Sequence, residues 1–174
     1  MAEGQEQTAR DTVPTRIGQT VMLYHAGDRE EARHRFLGLW AEIGEHGDPL
    51  HRCTLAHYLA DTQDDPGDEL AWDLRALSAA EELARDRAAE RHEGTSAARA
   101  LYPSLHLNLA VDYDRLGRRE AARVHLRRAR GAAVALADDR YGERVRAAIR
   151  RLGARLGDDG PTADDRWGPP RQRP

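Results

Sequence analysis

The sequence predicts an all-α fold: a short helical-hairpin solenoid of about three hairpins closed by a final helix. Three observations carry this expectation. Ala, Arg and Leu are the commonest of the 174 residues, and all are strong helix formers. Aromatic residues make up only 5% of the chain and charged ones 33%, the balance of a well-solvated helical protein rather than a sandwich or barrel. Finally, one helix–turn–helix pattern occurs twice. With Gly117 laid on Gly27, Arg119 falls on Arg29, Glu120 on Glu30, Ala122 on Ala32 and Arg123 on Arg33, while Tyr113 meets Leu23 and Leu126 meets Phe36.

Helices are expected near 14–26, 28–45, 50–63, 68–91, 99–116, 118–137 and 140–156. Pro14, Pro49, Pro66 and Pro103 each suit a first helical turn, where a missing N–H costs little. Asp48 stands before Pro49 as an N-cap, and Asp28 with Glu31 has capping-box spacing. Gly27, Gly47 and Gly117 fall where helices should end or turn. Ala32, Phe36, Leu39, Trp40 and Ile43 form one apolar stripe; Leu70, Leu74, Leu77 and, less regularly, Leu83 form another. Leu105, Leu109, Ala110, Val111 and Tyr113 are answered by Ala122, Leu126, Ala129 and Ala133. Tyr141, Val145, Ala148, Ile149, Leu152 and Leu156 line one face of the last helix, with arginines on the other. Short turns then force neighbouring helices to pack antiparallel. The helical domain is placed at 13–156. Residues 1–12 and 157–174 lack apolar periodicity and read as disordered tails, with Trp167 the one potential anchor in the second.

The segment 103–136 resembles a tetratricopeptide repeat, a helix–turn–helix of about 34 residues. The matching residues are Asn108, Leu109, Ala110 and Tyr113, the turn Leu116–Gly117, and Ala122, Leu126 and Ala129. His106 stands where the family often has Trp. Residues 15–45 resemble a degenerate second copy through Gly27, Ala32 and Phe36. A third, about 51–84, is inferred from Leu70, Leu74 and Leu77 aligning with Ala32, Phe36 and Leu39, with its first helix fitting more than one register. The last helix would cap the stack with a solvated outer face. The resemblance implies a scaffold whose first helices line a groove for a peptide or partner helix. It places Leu107, Asn108, Val111, Asp114 and Arg115 there from the best repeat, and Ile17, Val21, Tyr24 and His25 from the first. Asn108 is the most suggestive, since an amide at that point can hold an extended backbone.

The residues themselves point away from catalysis. No phosphate-loop, dinucleotide, zinc-protease or paired C-x-x-C motif is present. Cys53, His57 and His51 are close enough in sequence to suggest a soft-metal site, yet four ligands are not visible, so Cys53 reads as a small core residue and no metal or cofactor is expected. Asp61, Asp64, Asp65, Asp68 and Glu69 lack calcium-loop spacing and read as a solvated junction. The formal net charge of −3 hides an acidic middle and an arginine-rich end. Arg119, Arg123, Arg127 and Arg130 recur at helical spacing as a basic face, open to an acidic partner, to the acidic middle of a second copy, or, as a weaker expectation, to nucleic acid. A single cysteine, no apolar leader and no membrane-length apolar run suggest a cytoplasmic protein. The expected partner is a protein or peptide, with a homodimer as the alternative.

Overall fold

The computed structural model describes residues 12–89 and 95–157. Among these are seven helices and no strand: α1 (Val13–His25), α2 (Arg29–Ile43), α3 (Pro49–Asp61), α4 (Pro66–Ala89), α5 (Thr95–Arg115), α6 (Arg119–Ala133) and α7 (Arg140–Leu156). The expected disorder of the tails and the role of Trp167 lie outside the described residues. Each helix packs on the next in the chain, and α1 also meets α3 while α5 meets α7.

The core divides along the same lines. Ile17 of α1, Phe36 and Leu39 of α2, and Leu55 and Leu59 of α3 form one buried cluster. Cys53 and Ala56 of α3, Leu70, Ala76, Leu77 and Ala80 of α4, and Leu105 and Leu109 of α5 form the second. The third joins Ala110 of α5, Ala122, Leu126 and Ala129 of α6, and Val145, Ile149 and Leu152 of α7. Every cluster therefore unites one hairpin with the first helix of the following unit. Trp40 and Trp72, ring centroids 5.1 Å apart and edge to face, bridge the first two.

The two similar turns have the same geometry bond for bond. Gly27 (φ 96°) and Gly117 (φ 72°) are left-handed, a conformation that favours glycine because a Cβ would crowd the backbone. Gly27 N–H donates to Tyr24 O and Asp28 N–H to Leu23 O, while Gly117 N–H donates to Asp114 O and Arg118 N–H to Tyr113 O. This pairing absorbs carbonyls that the helix end leaves open. Asp28 consequently does not act as a capping box: its side chain makes no cap hydrogen bond. Its counterpart Arg118 has none either, so the glycine turn sets this junction. Asp48, by contrast, does cap α3, accepting from Leu50 N–H and His51 N–H.

Four local expectations are corrected. Pro103 lies inside α5, which starts at Thr95; the ring is fully buried, and packing offsets the lost backbone hydrogen bond. Gly44 (φ 66°), not Gly47, takes the left-handed position after α2. Leu74 is 41% exposed while Asp73 is 2% exposed. At about 100° per residue, the buried arc of α4 is centred on Ala76 and Ala80, small enough for α3 and α5 to approach from both sides, and Leu74 falls beyond its edge. Tyr141, expected on the buried face of α7, is also exposed.

Candidate functional site on the first helices

Three first helices bring side chains to one contiguous face. From α1 come Tyr24 and His25, from α3 His57, Tyr58 and Asp61, and from α5 Asn108. Tyr24 meets Tyr58 edge-on at 5.9 Å between centroids, and His25 meets it at 6.2 Å. Tyr58 is held from behind by stacking on Phe36 at 5.6 Å, and His57 lies 5.3 Å from it. His57 Nδ1 is 3.3 Å from Asn108 Nδ2, a contact in which the amide donates to the imidazole when His57 carries its proton on Nε2. Tyr24 and Asn108, proposed from separate repeats, are thus joined through α3.

Beneath this face lie two buried acids. Asp73 of α4 and Asp112 of α5 are 2% and 1% exposed and hydrogen-bond to each other, with Asn108 donating to Asp73. Burial pushes both carboxyls up, Asp73 to about 9 with Asp112 adding to the effect, and Asp112 to about 7. Removing a carboxylate from water disfavours its charged form; the second acid alongside raises Asp73 again, whereas the hydrogen bond with Asp73 partly offsets the rise at Asp112. Among the described residues, Asp73 Oδ1 and Asp112 Oδ2 have no hydrogen-bond partner. His57 Nδ1 stands 4.0 Å from Asp73 Oδ1. Asp61, at the edge, keeps one side open to solvent, yet the surrounding helices desolvate it enough to raise its carboxyl, with Glu69 adding and His57 and His25 opposing. The Tyr24 and Tyr58 hydroxyls are also raised, by burial first and by Asp61 second.

The remaining sequence candidates divide. Ile17 is 5% exposed and belongs to the first core cluster, out of a partner's reach. Val21 packs half-buried against that same cluster. Leu107 and Val111 lean, half-buried, on the α5–α6–α7 core. Arg115 pairs with Glu69, and Asp114 with Arg155 of α7 at 2.9 Å. Sequence reasoning missed the contribution of α3 because its register was ambiguous, and it did not single out Asp73 from the acidic middle of the chain. Cys53 is buried, its thiol pushed up to about 12 by burial and then by Asp73, which suppresses the reactive thiolate. Among the described residues no three His, Cys, Asp or Glu side chains are grouped to hold a metal.

The basic face is partly committed to internal contacts. Arg119 donates to Arg155 O at 3.5 Å and Arg123 to Leu156 O at 2.9 Å, both at the C-terminal end of α7, where cations offset exposed carbonyl dipoles. Their counterparts do the same two hairpins earlier: Arg29 donates to Gln63 O at 2.6 Å, and Arg29 and Arg33 both pair with Asp64, just past the end of α3. The repeated arginines therefore tie α2 to the end of α3 and α6 to the end of α7. Arg127 stays exposed and Arg130 is half-buried. Among the described residues, no helix is long and apolar enough to cross a membrane.

Comparison with known proteins gives no match among family models, curated proteins or solved structures.

Proposed function

We propose that this chain is a protein-interaction scaffold of the tetratricopeptide-repeat kind, an accessory or regulatory module without catalytic activity. Its first helices form a groove that takes an extended peptide or a partner helix. The observation that carries this reading is the unbroken run Tyr24–Tyr58–His57–Asn108 across α1, α3 and α5. Aromatic rings with polar tips supply contact area at low entropic cost, and a side-chain amide can bond a peptide backbone in both directions. The sharing of each core cluster between one hairpin and the next helix supports a stacked repeat, as do the two equivalent turns and arginine ties.

The test is selection of binding peptides from a displayed random library against the full chain. Peptides so obtained should lose about tenfold or more in affinity for a Tyr24→Ala/Asn108→Ala variant and bind an Arg127→Ala variant unchanged. Equal binding to the double variant would place the binding surface elsewhere.

A further inference from the structure

We propose that the first-helix face seats one cationic side chain, a lysine or arginine of the bound peptide, over the Asp73–Asp112 carboxyl pair. This rests on the groove reading above and names the chemistry of its occupant.

Apart from the hydrogen bond within the pair and the Asn108 amide on Asp73, two of the pair's oxygens are left without a donor among the described residues. Asp73 Oδ1 and Asp112 Oδ2 are buried and unpartnered, and buried acceptors without a donor are unfavourable enough that native proteins rarely leave them so. The chain's own donors nearby are committed. Arg115 serves Glu69. His57 Nδ1 faces the Asn108 amide at 3.3 Å and stays 4.0 Å from Asp73 Oδ1.

The charges facing the pair from every packed helix are Asp61 and His57 of α3, Glu69 of α4 and Arg115 of α5, with His25 of α1 acting on Asp61. Acids exceed fixed cations in that set, so a ligand cation is favoured and an anion is not. Tyr24 and Tyr58 flank the approach, with rings suited to sheathing the aliphatic stem of a long basic side chain. His57, whose side chain is about a third exposed, covers Asp73 Oδ1 from the face. A rotamer change of such a residue is fast and opens the route.

Seating the cation stabilises the ionised pair. The proton that the two carboxyls share at neutral pH then leaves to solvent, so binding releases a proton and strengthens as pH rises.

The probe is Ac-Gly-Lys-Gly-NH2, with Ac-Gly-Gln-Gly-NH2 as control. Both are titrated into the ¹⁵N-labelled full chain at about 0.15 M salt, where weak attraction to exposed acids is screened. The lysine probe should produce saturable shifts at the Asn108 side-chain amide and at the Tyr58 and Asp61 backbone amides, and the glutamine probe should not. Asp73→Asn, which keeps the shape and hydrogen bonding of the protonated acid, should weaken the lysine probe about tenfold, with the fold checked by its amide spectrum. Asp61→Asn, at a solvent-facing position, gives a second variant that should weaken it less. Equal shifts from both probes, shifts spread over other surface acids, or an unchanged response in Asp73→Asn overturns the proposal. So does occupancy by a second copy, seen as shifts at these residues that grow with protein concentration alone. If selected peptides depend on Tyr24 and Asn108 while the lysine probe does nothing, the groove stands and this inference falls. If the lysine probe binds as described while no selected peptide depends on those two residues, the cation site stands and the groove falls.

Discussion

Asp73 and Asp112 hydrogen-bond to each other across the α4–α5 boundary, so the middle hairpin and the last one meet at a pair of buried acids. Both carboxyls are raised in the folded chain. Between the ordinary carboxyl value near 4 and about 9, the folded state holds a proton that the unfolded chain releases. Their contribution to stability is therefore complete below about pH 4 and is lost progressively as pH rises through that window. Asp73→Asn removes the share of this dependence that Asp73 carries. Relative to wild type, its urea midpoint should rise steadily from about pH 5 to about pH 9. Parallel curves would mean that the pair does not share a proton.

A second titrating pair acts with the opposite sign. His106 Nδ1 and His125 Nδ1 are 3.0 Å apart between α5 and α6, so one ring must donate while the other accepts. Burial, then His125 and Arg128, hold His106 down to about 4, and burial and Arg128 also lower His125. The folded chain resists protonation that the unfolded chain accepts at the ordinary histidine value near 6.5, so stability is lost as pH falls from there toward 4. His106→Phe, which keeps a ring stacked near Tyr102, should flatten this acid limb of the stability curve. A circular-dichroism melt at several acidic pH values reads it directly.

Two glycines should respond to alanine with opposite signs. Gly38 sits within α2, and an added Cβ would meet open space, so Gly38→Ala should stabilise by about 0.5–1 kcal/mol through helix propensity. Gly117 is also uncrowded but has φ 72°, so Gly117→Ala should destabilise by about 1 kcal/mol through backbone strain. Thermal melts of the two variants make the comparison.

Arg123 and Arg127 occupy one helix but have different tasks. Arg123→Ala should free the last carbonyls of α7 and speed amide exchange over its final turn, at a cost of about 1–2 kcal/mol locally. Arg127→Ala should leave that exchange unchanged.

Leucines inside and outside the buried arc should also part company. Leu126, fully buried, should cost about 2–5 kcal/mol on truncation to alanine. Leu74→Ala should cost less than about 1 kcal/mol. Urea denaturation of both variants checks the assignment of the α4 face.

Much of the helix framework was legible because its causes are local. Asp48 before Pro49 predicts the start of α3, and Gly27 and Gly117 predict left-handed turns, since each effect spans a few bonds. The buried stripe of α6 follows from Ala122, Leu126 and Ala129, which meet two neighbours from one side. Legibility failed where two helices press on a third. On α4 three leucines suggested a stripe, but α3 and α5 together cover an arc centred on alanines, which expels Leu74 and encloses Asp73. Pro103 misled for a related reason, because burial of the ring lets α5 run through it.

The candidate face divides in the same way. Tyr24, His25 and Asn108 could be named from the repeat pattern, but His57, Tyr58 and Asp61 join them only when α3 is seated between α1 and α5. By itself the sequence determined the helical class, the two equivalent turns and the alanine-lined crossing of α5 on α6, because spacing and local backbone preference suffice for these. Tertiary structure alone decided that two acids far apart in sequence would share a buried position. It also turned the repeated arginines toward helix ends rather than outward. Both outcomes depend on which surfaces the neighbouring helices desolvate, a property of the packed arrangement that no single segment carries.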